Sequence, residues 1–428
     1  MTAAQRGPGR ARQDAIYRAG VFGHHPSVPT DATELERRAH KAMSSTAWAY
    51  VAGGAGEGAT MRHNREAFDA WRIVPRMLHG VTTRDLSTTV LGTALRAPLL
   101  LAPVGAGCLV APDSDLLIAR GAAEAGVPYV FTNQGCNPLE DTAAAMGSTP
   151  FWQQLYWSTD EALVDSMIGR AEAAGAQALV VTLDTTMLGW RPRDLNIGSL
   201  PFARGLGIAQ YTSDPRFRAL VAARMAAASG PRAKVEVTVG AVKTLLTMSR
   251  THPGDFRENL RSPEPRAAVE TFLDIYSNPA LSWAHIVTLR ERTRIPVLLK
   301  GILHPDDALR AFDEGVDGIV VSNHGGRQVD RSIASLDALV GIREAVGRDP
   351  VVLLDSGVRT GADLFVALAL GADACLLGRP HIYGLALDGA DGVRQVVENV
   401  IAELDLTMGL VGVGTIAAIT RDQLVPSP

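Results

Sequence analysis

Short apolar segments recur through most of the chain, and most are followed by an alanine-containing stretch with helical spacing. Eight of these segments have the length and composition of buried strands. Alternating β and α units predict parallel strands with right-handed crossovers, and a count of eight favours a closed (β/α)8 TIM barrel, an α/β fold. The predicted strands are 98–103, 128–132, 151–156, 178–184, 296–300, 318–323, 351–355 and 374–378.

An open dinucleotide-binding sheet is the alternative architecture. No predicted strand is followed by the glycine fingerprint that such a sheet uses to hold a pyrophosphate. The glycine-rich residues 53–56 lie before the first predicted strand and after a helix, so they are interpreted as a turn.

The domain organisation follows from where the repeating pattern starts and where it is interrupted. Residues 1–30 are predicted to be a flexible N-terminal segment, and residues 31–428 a single barrel domain. Residues 30–34 resemble an N-cap, which predicts a helical extension before the barrel. About 110 residues separate the fourth strand from the fifth, so a long loop at about 190–290 is predicted to be a lid on the catalytic rim. The alternative interpretations of this insertion are an oligomer contact and a disordered segment.

Composition narrows the classes of partner. The 428 residues contain 41 basic and 45 acidic side chains, and this near balance argues against nucleic acid or an anionic membrane as the main partner. No apolar run is long enough to span a bilayer, and the basic N-terminus lacks the apolar core of a secretory signal. Cys108, Cys136 and Cys375 are too few and too scattered for a disulfide framework or a zinc site. We therefore predict no metal and a reducing, cytoplasmic location.

Candidate chemistry lies at the predicted strand ends. The sixth strand runs into His324 and Arg327, separated by Gly325 and Gly326, which places a base and a fixed cation on one rim. A surface histidine beside a solvated arginine is the less favoured interpretation. Barrel topology brings the carboxyl ends of all strands around one ligand. The other polar residues at strand ends are Gln154, Tyr156, Thr182, Asp184, Lys300 and Asp355.

The last two strands lead into glycine-containing turns that each carry an arginine, Arg359 or Arg379. Backbone N–H groups and two guanidiniums at this corner predict a phosphate site, because barrels commonly bind phosphate there. Pairing of the two arginines with acids at helix ends is the alternative.

These segments together resemble the FMN-dependent 2-hydroxy acid oxidising family over about residues 35–420. Within that family, residues 50–54, 75–78, 189–195 and 299–307 most resemble the lactate 2-monooxygenase group. The resemblance implies FMN as cofactor and oxidation of an L-2-hydroxy acid to the 2-keto acid. It also implies oxidative decarboxylation as a further outcome, and a homotetramer. O2 is the expected reoxidant, because no haem-binding or quinone-anchoring segment is evident in the sequence. The motifs that carry the family resemblance are residues 154–156, 182–185, 322–328 and 355–359.

The resemblance also assigns roles that make physical sense. His324 is expected to be the base, with Asp184 stabilising its imidazolium. Arg327 and Arg191 are expected to clamp the substrate carboxylate bidentately.

Lys300 is expected beside the flavin, where negative charge develops on reduction, and Tyr50 and Tyr156 are expected to hydrogen-bond the substrate. The remaining residues expected to bind the cofactor are Pro103, Val104, Gly105, Thr132, Gln154, Thr182, Ser322, Asp355, Ser356, Gly357, Arg359, Gly378 and Arg379.

Two departures from the family pattern concern the substrate. Gly105 replaces the usual alanine, and one missing methyl beside the flavin is expected to change the room for product and oxygen. Residues 132–137 replace a Ser-rich or aromatic segment, which places Gln134 near the substrate and suggests a larger or more polar acid than lactate. An FMN oxidase of a tailored 2-hydroxy or 2-amino acid in a biosynthetic pathway therefore stays open. A flavin-dependent isomerase and a non-catalytic FMN-binding protein are further alternatives.

Overall fold

Four helices precede the barrel in the structure, a computed structural model that describes residues 7–227 and 236–427. They are α1 (Gly7–Val21), α2 (Ala32–Ala42), α3 (Ser45–Ala52) and α4 (Ala59–Asp69). The predicted helical extension is confirmed, and the Asp31 carboxylate caps α2 by accepting from the Glu34 backbone N–H. Three short strands follow, β1 (Trp71–Ile73), β2 (Thr88–Val90) and β3 (Thr93–Leu95), of which β2 and β3 form a hairpin.

The prediction of a flexible segment over residues 1–30 is wrong for residues 7–21. Helix α1 packs on the long C-terminal helix, where Arg12 Nε donates to Asn399 Oδ1 at 2.9 Å and the Gly9 N–H donates to Asp405 Oδ2 at 3.0 Å. A Cβ on Gly9 would lie 2.6 Å from the Ala402 carbonyl oxygen, so this glycine allows close helix packing rather than flexibility. Residues 1–6 lie outside the described residues.

Eight parallel strands close into the barrel, and the predicted (β/α)8 fold is confirmed. Each strand pairs with the next along the chain, and the last pairs with the first. The strands are β4 (Leu99–Leu101), β5 (Tyr129–Phe131), β6 (Phe151–Leu155), β7 (Leu179–Thr182), β8 (Val297–Ile302), β9 (Gly318–Val321), β10 (Val351–Leu354) and β11 (Ala374–Leu377).

Successive side chains along each barrel strand point to opposite faces of the sheet. The barrel therefore separates two buried hydrophobic clusters. One cluster contains Leu100, Val130 and Val180 together with Val90 and Leu95 of the β2–β3 hairpin. The neighbouring strand positions belong to the larger cluster that includes the helices. Because both faces of each strand are buried, the strands have near-continuous apolar sequences, as parallel sheets require.

The predicted insertion between β7 and β8 is largely helical in its described part. Its helices are α8 (Pro192–Asn196), α9 (Ala209–Thr212), α10 (Pro215–Ala227), α11 (Val239–Thr251), α12 (Phe256–Arg261), α13 (Glu264–Ile275) and α14 (Trp283–Arg292). Aromatic contacts hold its parts together: the Phe272 ring stacks on Tyr276 with centres 4.8 Å apart and lies 5.5 Å from Phe202. Residues 228–235 lie outside the described part, and the function of the insertion as a lid stays a prediction.

The remaining helices surround the barrel, and α5 to α7 follow its first three strands. They are α5 (Ser114–Ala125), α6 (Leu139–Met146), α7 (Glu161–Ala173), α15 (Pro305–Asp313), α16 (Ser335–Val346), α17 (Gly361–Ala369) and α18 (Arg379–Val411), the last broken at Asp388 and Gly389. A final strand, β12 (Leu424–Pro426), pairs antiparallel with β1. Over residues 7–227 and 236–427, no helix combines the length and the apolar character needed to cross a bilayer.

Candidate active site

His324 lies in a tight turn just after β9. Its φ is +56°, and Gly325 and Gly326 follow with φ of +63° and +73°. A left-handed histidine is uncommon and is maintained only where neighbouring contacts fix it. Here the Gly325 N–H donates to Ser356 Oγ at 2.9 Å, and a Cβ on Gly326 would lie 2.9 Å from the Met61 backbone nitrogen. The turn therefore holds the imidazole in one position.

Asp184 contacts the histidine from the end of β7. Its Oδ1 lies 2.7 Å from His324 Nδ1, and Thr185 Oγ1 donates to the same oxygen at 3.1 Å. Burial lowers the pKa of His324, and the opposing effect of Asp184 does not restore it. Burial would raise the pKa of Asp184, but His324 and Lys300 outweigh it and the pKa is lowered. The pair is thus a neutral imidazole on a carboxylate, with the Nε2 lone pair available when Nδ1 carries the proton.

Two arginines form a separate cationic cluster beside this pair. Arg191 donates through Nε to the Arg327 carbonyl at 3.0 Å, while Arg327 donates to the carbonyls of Tyr50 and Gly53. Burial, and then the charge of Arg191, lowers the pKa of Arg327 to about 9. In the described chain, neither guanidinium is within ion-pair distance of a carboxylate. The cluster is therefore suited to an anionic ligand.

Lys300 is a buried cation at the end of β8. Its Nζ donates to Ser322 Oγ at 2.7 Å and lies 3.0 Å from Asp355 Oδ2. Burial would lower the pKa of Lys300, but Asp355 and then Asp184 raise it above its ordinary value. The ammonium charge is thereby kept inside the barrel mouth.

Tyr50 and Tyr156 bring two hydroxyl groups to the same place. Burial raises the pKa of both, and the charge of Asp184 raises that of Tyr156 further. Both side chains therefore stay protonated and can donate hydrogen bonds. The Tyr50 ring also lies under the Arg327 guanidinium, 4.8 Å from ring centre to Cζ.

A cavity of about 1040 Å³, part of it open to solvent, joins these groups at the carboxyl ends of the strands. All predicted site residues line it except Asp184, Thr132, Gln154 and Ser322. Each of these four forms a hydrogen bond with a residue that lines the cavity or with the chain neighbour of one. Asp184 contacts His324 and Ser322 contacts Lys300, while Thr132 Oγ1 and Gln154 Oε1 accept backbone N–H groups of the loop after β5.

The predicted phosphate corner is only partly as expected. Gly357 is required there, because its φ is +107° and a Cβ would lie 2.6 Å from the Asn64 carbonyl oxygen. Arg359 lines the cavity, and among the described residues its guanidinium donates only to the neighbouring Val358 carbonyl, at 3.2 Å. Arg379 also lines the cavity, but its guanidinium donates to the carbonyls of Val51, Gly53 and Gly325. Arg379 thus connects its own turn to residues 51–53 and to the His324 turn, in addition to lining the predicted phosphate corner.

Several cavity residues were not predicted from sequence. Phe202 and Tyr276 reach the cavity from the insertion, together with Leu188 just after β7. No strand end precedes Phe202 or Tyr276, so only their tertiary packing could reveal them. Thr185 also lines the cavity, and its place directly after Asp184 in a family motif was an available signal.

The expectation about the cysteines needs correction. Cys108 and Cys136 are 28 residues apart but form a disulfide, with Cα atoms 5.9 Å apart. They follow β4 and β5, which are neighbours in the barrel, so their loops are adjacent. The two residues looked scattered only along the chain. Cys375 is buried and free.

A closed (β/α)8 barrel with a histidine–carboxylate pair, a buried lysine and a cationic cluster at one mouth defines the class of a barrel enzyme with a cofactor-sized cavity. Comparison with known proteins gives a more specific identification. The sequence profile of the FMN-dependent dehydrogenase family matches residues 39–426. The chain belongs to this family and is an FMN-dependent oxidoreductase.

Individual relatives agree over nearly the whole length. The chain is 40% identical to the FMN-dependent alpha-hydroxy acid dehydrogenase qulF of Penicillium citrinum, covering 96% of this chain and 94% of the relative. It is 39% identical to an L-lactate oxidase of Lysinibacillus sphaericus, covering 93% of each. A crystal structure of mandelate oxidase with (S)-4-hydroxymandelic acid superposes with a TM-score of 0.75 at 32% identity, covering 93% of this chain and 99% of the other.

The residues present fit FMN. Thr182 Oγ1 lines the cavity and is buried without a hydrogen-bond partner among the described residues, which is costly unless a ligand supplies one. Gln154 Nε2, at the neighbouring strand end, is also buried without a partner in that part of the chain. At the other end of the cavity, a Cβ on Gly378 would meet no atom nearer than Ala102 Cβ at 4.0 Å. The N-terminus of α18 therefore faces open space, which suits a phosphate. The predictions of family, fold, enzyme class and cofactor are confirmed.

Proposed function

We propose that the protein oxidises an L-2-hydroxy acid to the 2-keto acid, with O2 as electron acceptor. The observation that supports this most directly is that His324, neutral and hydrogen-bonded to the Asp184 carboxylate, lies on the same cavity as Arg191 and Arg327. Among the described residues, no carboxylate lies within ion-pair distance of these two arginines. A base beside an anion site suits a substrate that carries a carboxylate next to a proton-bearing carbinol. Relatives named L-lactate oxidase and mandelate oxidase favour O2.

The arginine cluster would orient the substrate. Arg191 and Arg327 are each held by hydrogen bonds to protein carbonyl groups, so their positions are set before a ligand arrives. A carboxylate there would relieve the repulsion between the two buried cations. Charge-assisted, bidentate contacts would then fix the carbinol carbon relative to His324.

His324 would act as the base. Nε2 would accept one of the two hydrogens of the carbinol as a proton, and the Asp184 carboxylate would stabilise the resulting imidazolium through Nδ1. FMN, when bound, would supply the acceptor for the two electrons and the remaining hydrogen and would pass them on to O2. Lys300, kept charged by Asp355, would offset negative charge at the strand ends.

The fate of the product is a separate part of the proposal. Simple oxidation by O2 yields the 2-keto acid and hydrogen peroxide. If both are retained, they react to give the acid shortened by one carbon, CO2 and water. Product analysis under air distinguishes keto acid plus peroxide from shortened acid plus CO2.

The His324→Ala variant tests the central assignment. We expect it to retain the visible absorption of bound FMN but to lose bleaching of that absorption by 2-hydroxy acids without O2. Loss of FMN would instead show that His324 has a structural role. Formation of an isomer of the substrate without keto acid by the wild-type enzyme would favour the isomerase alternative, and the proposed homotetramer can be tested by light scattering.

A further inference from the structure

Gly105, after β4, and Gln134, after β5, are in direct contact. A Cβ built on Gly105 would lie 2.9 Å from Gln134 Cβ and 3.1 Å from Gln134 Oε1. Real side chains do not approach so closely, so alanine at position 105 would displace Gln134. The sequence suggested that glycine at position 105 changes the room for product and oxygen. In the structure, Gln134 occupies the space that the methyl group of an alanine would fill, so this space is not free.

The Gln134 backbone is fixed on both sides. Its N–H donates to Thr132 Oγ1 at 3.2 Å, and its carbonyl accepts the Ala106 N–H at 3.0 Å. The Cys108–Cys136 disulfide joins the same two loops a few residues further on. The point from which the Gln134 side chain leaves the backbone is thus set by the protein rather than by a ligand.

The Gln134 amide makes no hydrogen bond with any described residue, although the residue is only 6% exposed and lines the cavity. A ligand that fills the cavity would cut this amide off from water, which is unfavourable unless the ligand supplies a hydrogen-bond partner. The same cavity is also lined by the aromatic rings of Tyr50, Phe202 and Tyr276. A polar group placed beside aromatic rings is a common way of fixing a ligand in one orientation.

We infer that Gly105 and Gln134 form a specificity unit that selects 2-hydroxy acids with a hydrogen-bonding hydroxyl or amide on an otherwise apolar side chain. This inference rests on the proposed function and specifies its substrate class. Gly105 makes room for the amide, and the amide binds the polar group of the substrate. An apolar analogue would leave that amide buried and unpaired, which is how sites built for a hydroxyl reject analogues that lack one.

The test uses matched acids in anaerobic flavin reduction by the purified holoenzyme. One pair is L-lactate and L-glycerate, and the other is (S)-mandelate and (S)-4-hydroxymandelate; the members of each pair differ by one hydroxyl. We expect the polar member of at least one pair to be preferred by about tenfold in the reduction rate over its apparent dissociation constant, as one hydrogen bond allows. Equal or inverse preference in both pairs would overturn the inference. Absence of reduction by every acid would instead overturn the proposed function.

Variants then test the unit itself. Gln134→Leu, which is nearly isosteric, should abolish the preference, and Gly105→Ala should reduce it similarly by displacing the amide. The double variant should show no further loss, because both changes remove the same contact. Gln134→Met replaces the leucine variant if that one does not retain FMN. A preference that persists in the leucine or methionine variant would assign selection to other residues.

Discussion

The substitution Asp184→Asn tests the electrostatic part of the proposed mechanism. Asparagine has nearly the same shape, and its Oδ1 can still accept the hydrogen bond from His324 Nδ1 that now spans 2.7 Å. The position and tautomer of the imidazole should therefore be kept. Only the negative charge that stabilises the imidazolium is removed.

The size of the effect follows from the geometry. With Oδ1 and Nδ1 at 2.7 Å, the charge centres are about 4 Å apart, which at an effective dielectric constant of about 20 corresponds to roughly 4 kcal/mol. A barrier higher by about 4 kcal/mol slows a reaction roughly 10³-fold.

The pH dependence of Asp184→Asn should change as well. Because Asp184 raises the pKa of His324, losing its charge lowers that pKa further, so the acid limb of kcat/KM moves to lower pH.

Stopped-flow flavin reduction without O2 measures the rate of the chemical step directly. A pH series of kcat/KM measures the pH at which the acid limb falls. Asp313→Asn is a matched control, because it removes one negative charge from an exposed residue at the end of α15. Reduction by Asp184→Asn within tenfold of wild type would refute the reasoning. A limb that moved to higher pH would refute it too, because the carboxylate would then not be the group that raises the pKa of His324.

Three further predictions concern the cofactor and the disulfide. Thr182→Val removes a hydroxyl that no described residue pairs with, so the dissociation constant of FMN should rise about 2- to 10-fold by fluorescence titration, and an unchanged value would exclude a bond to FMN. Arg359→Met should weaken FMN binding about 10- to 100-fold but leave riboflavin binding unchanged, because riboflavin lacks the phosphate. Opening the Cys108–Cys136 loop with a dithiol reductant should lower the free energy of unfolding by up to about 3.6 kcal/mol in denaturant titrations, the loop-closure value for a separation of 28 residues. Identical curves with and without reductant would mean that no bond forms in solution.

The strands and their polar ends were predictable because buried parallel strands have continuous apolar sequences, and topology alone brings their carboxyl ends together. That is why His324, Lys300 and Asp184 could be placed in one site before the structure was known. Helix α1 was not predictable in the same way. A glycine such as Gly9 is typical of a flexible segment when only the sequence is considered, whereas in the fold it allows α1 to pack closely on α18. The contributions of Phe202 and Tyr276 depend on how the insertion folds back over the barrel, and no local pattern encodes that.

The charges in the cavity explain why an acid is the expected substrate. His324 contacts Asp184, and Lys300 contacts Asp355, so each of these buried groups has its own partner. Within residues 7–227 and 236–427, Arg191 and Arg327 have only carbonyl and amide oxygens as hydrogen-bond acceptors, and Asp194 acts on them from beyond ion-pair distance. Burying unpaired cations is costly, and the lowered pKa of Arg327 is one sign of that cost. A carboxylate that binds there gains affinity because its charge offsets this electrostatic cost, whereas a neutral ester or amide of the same acid would not.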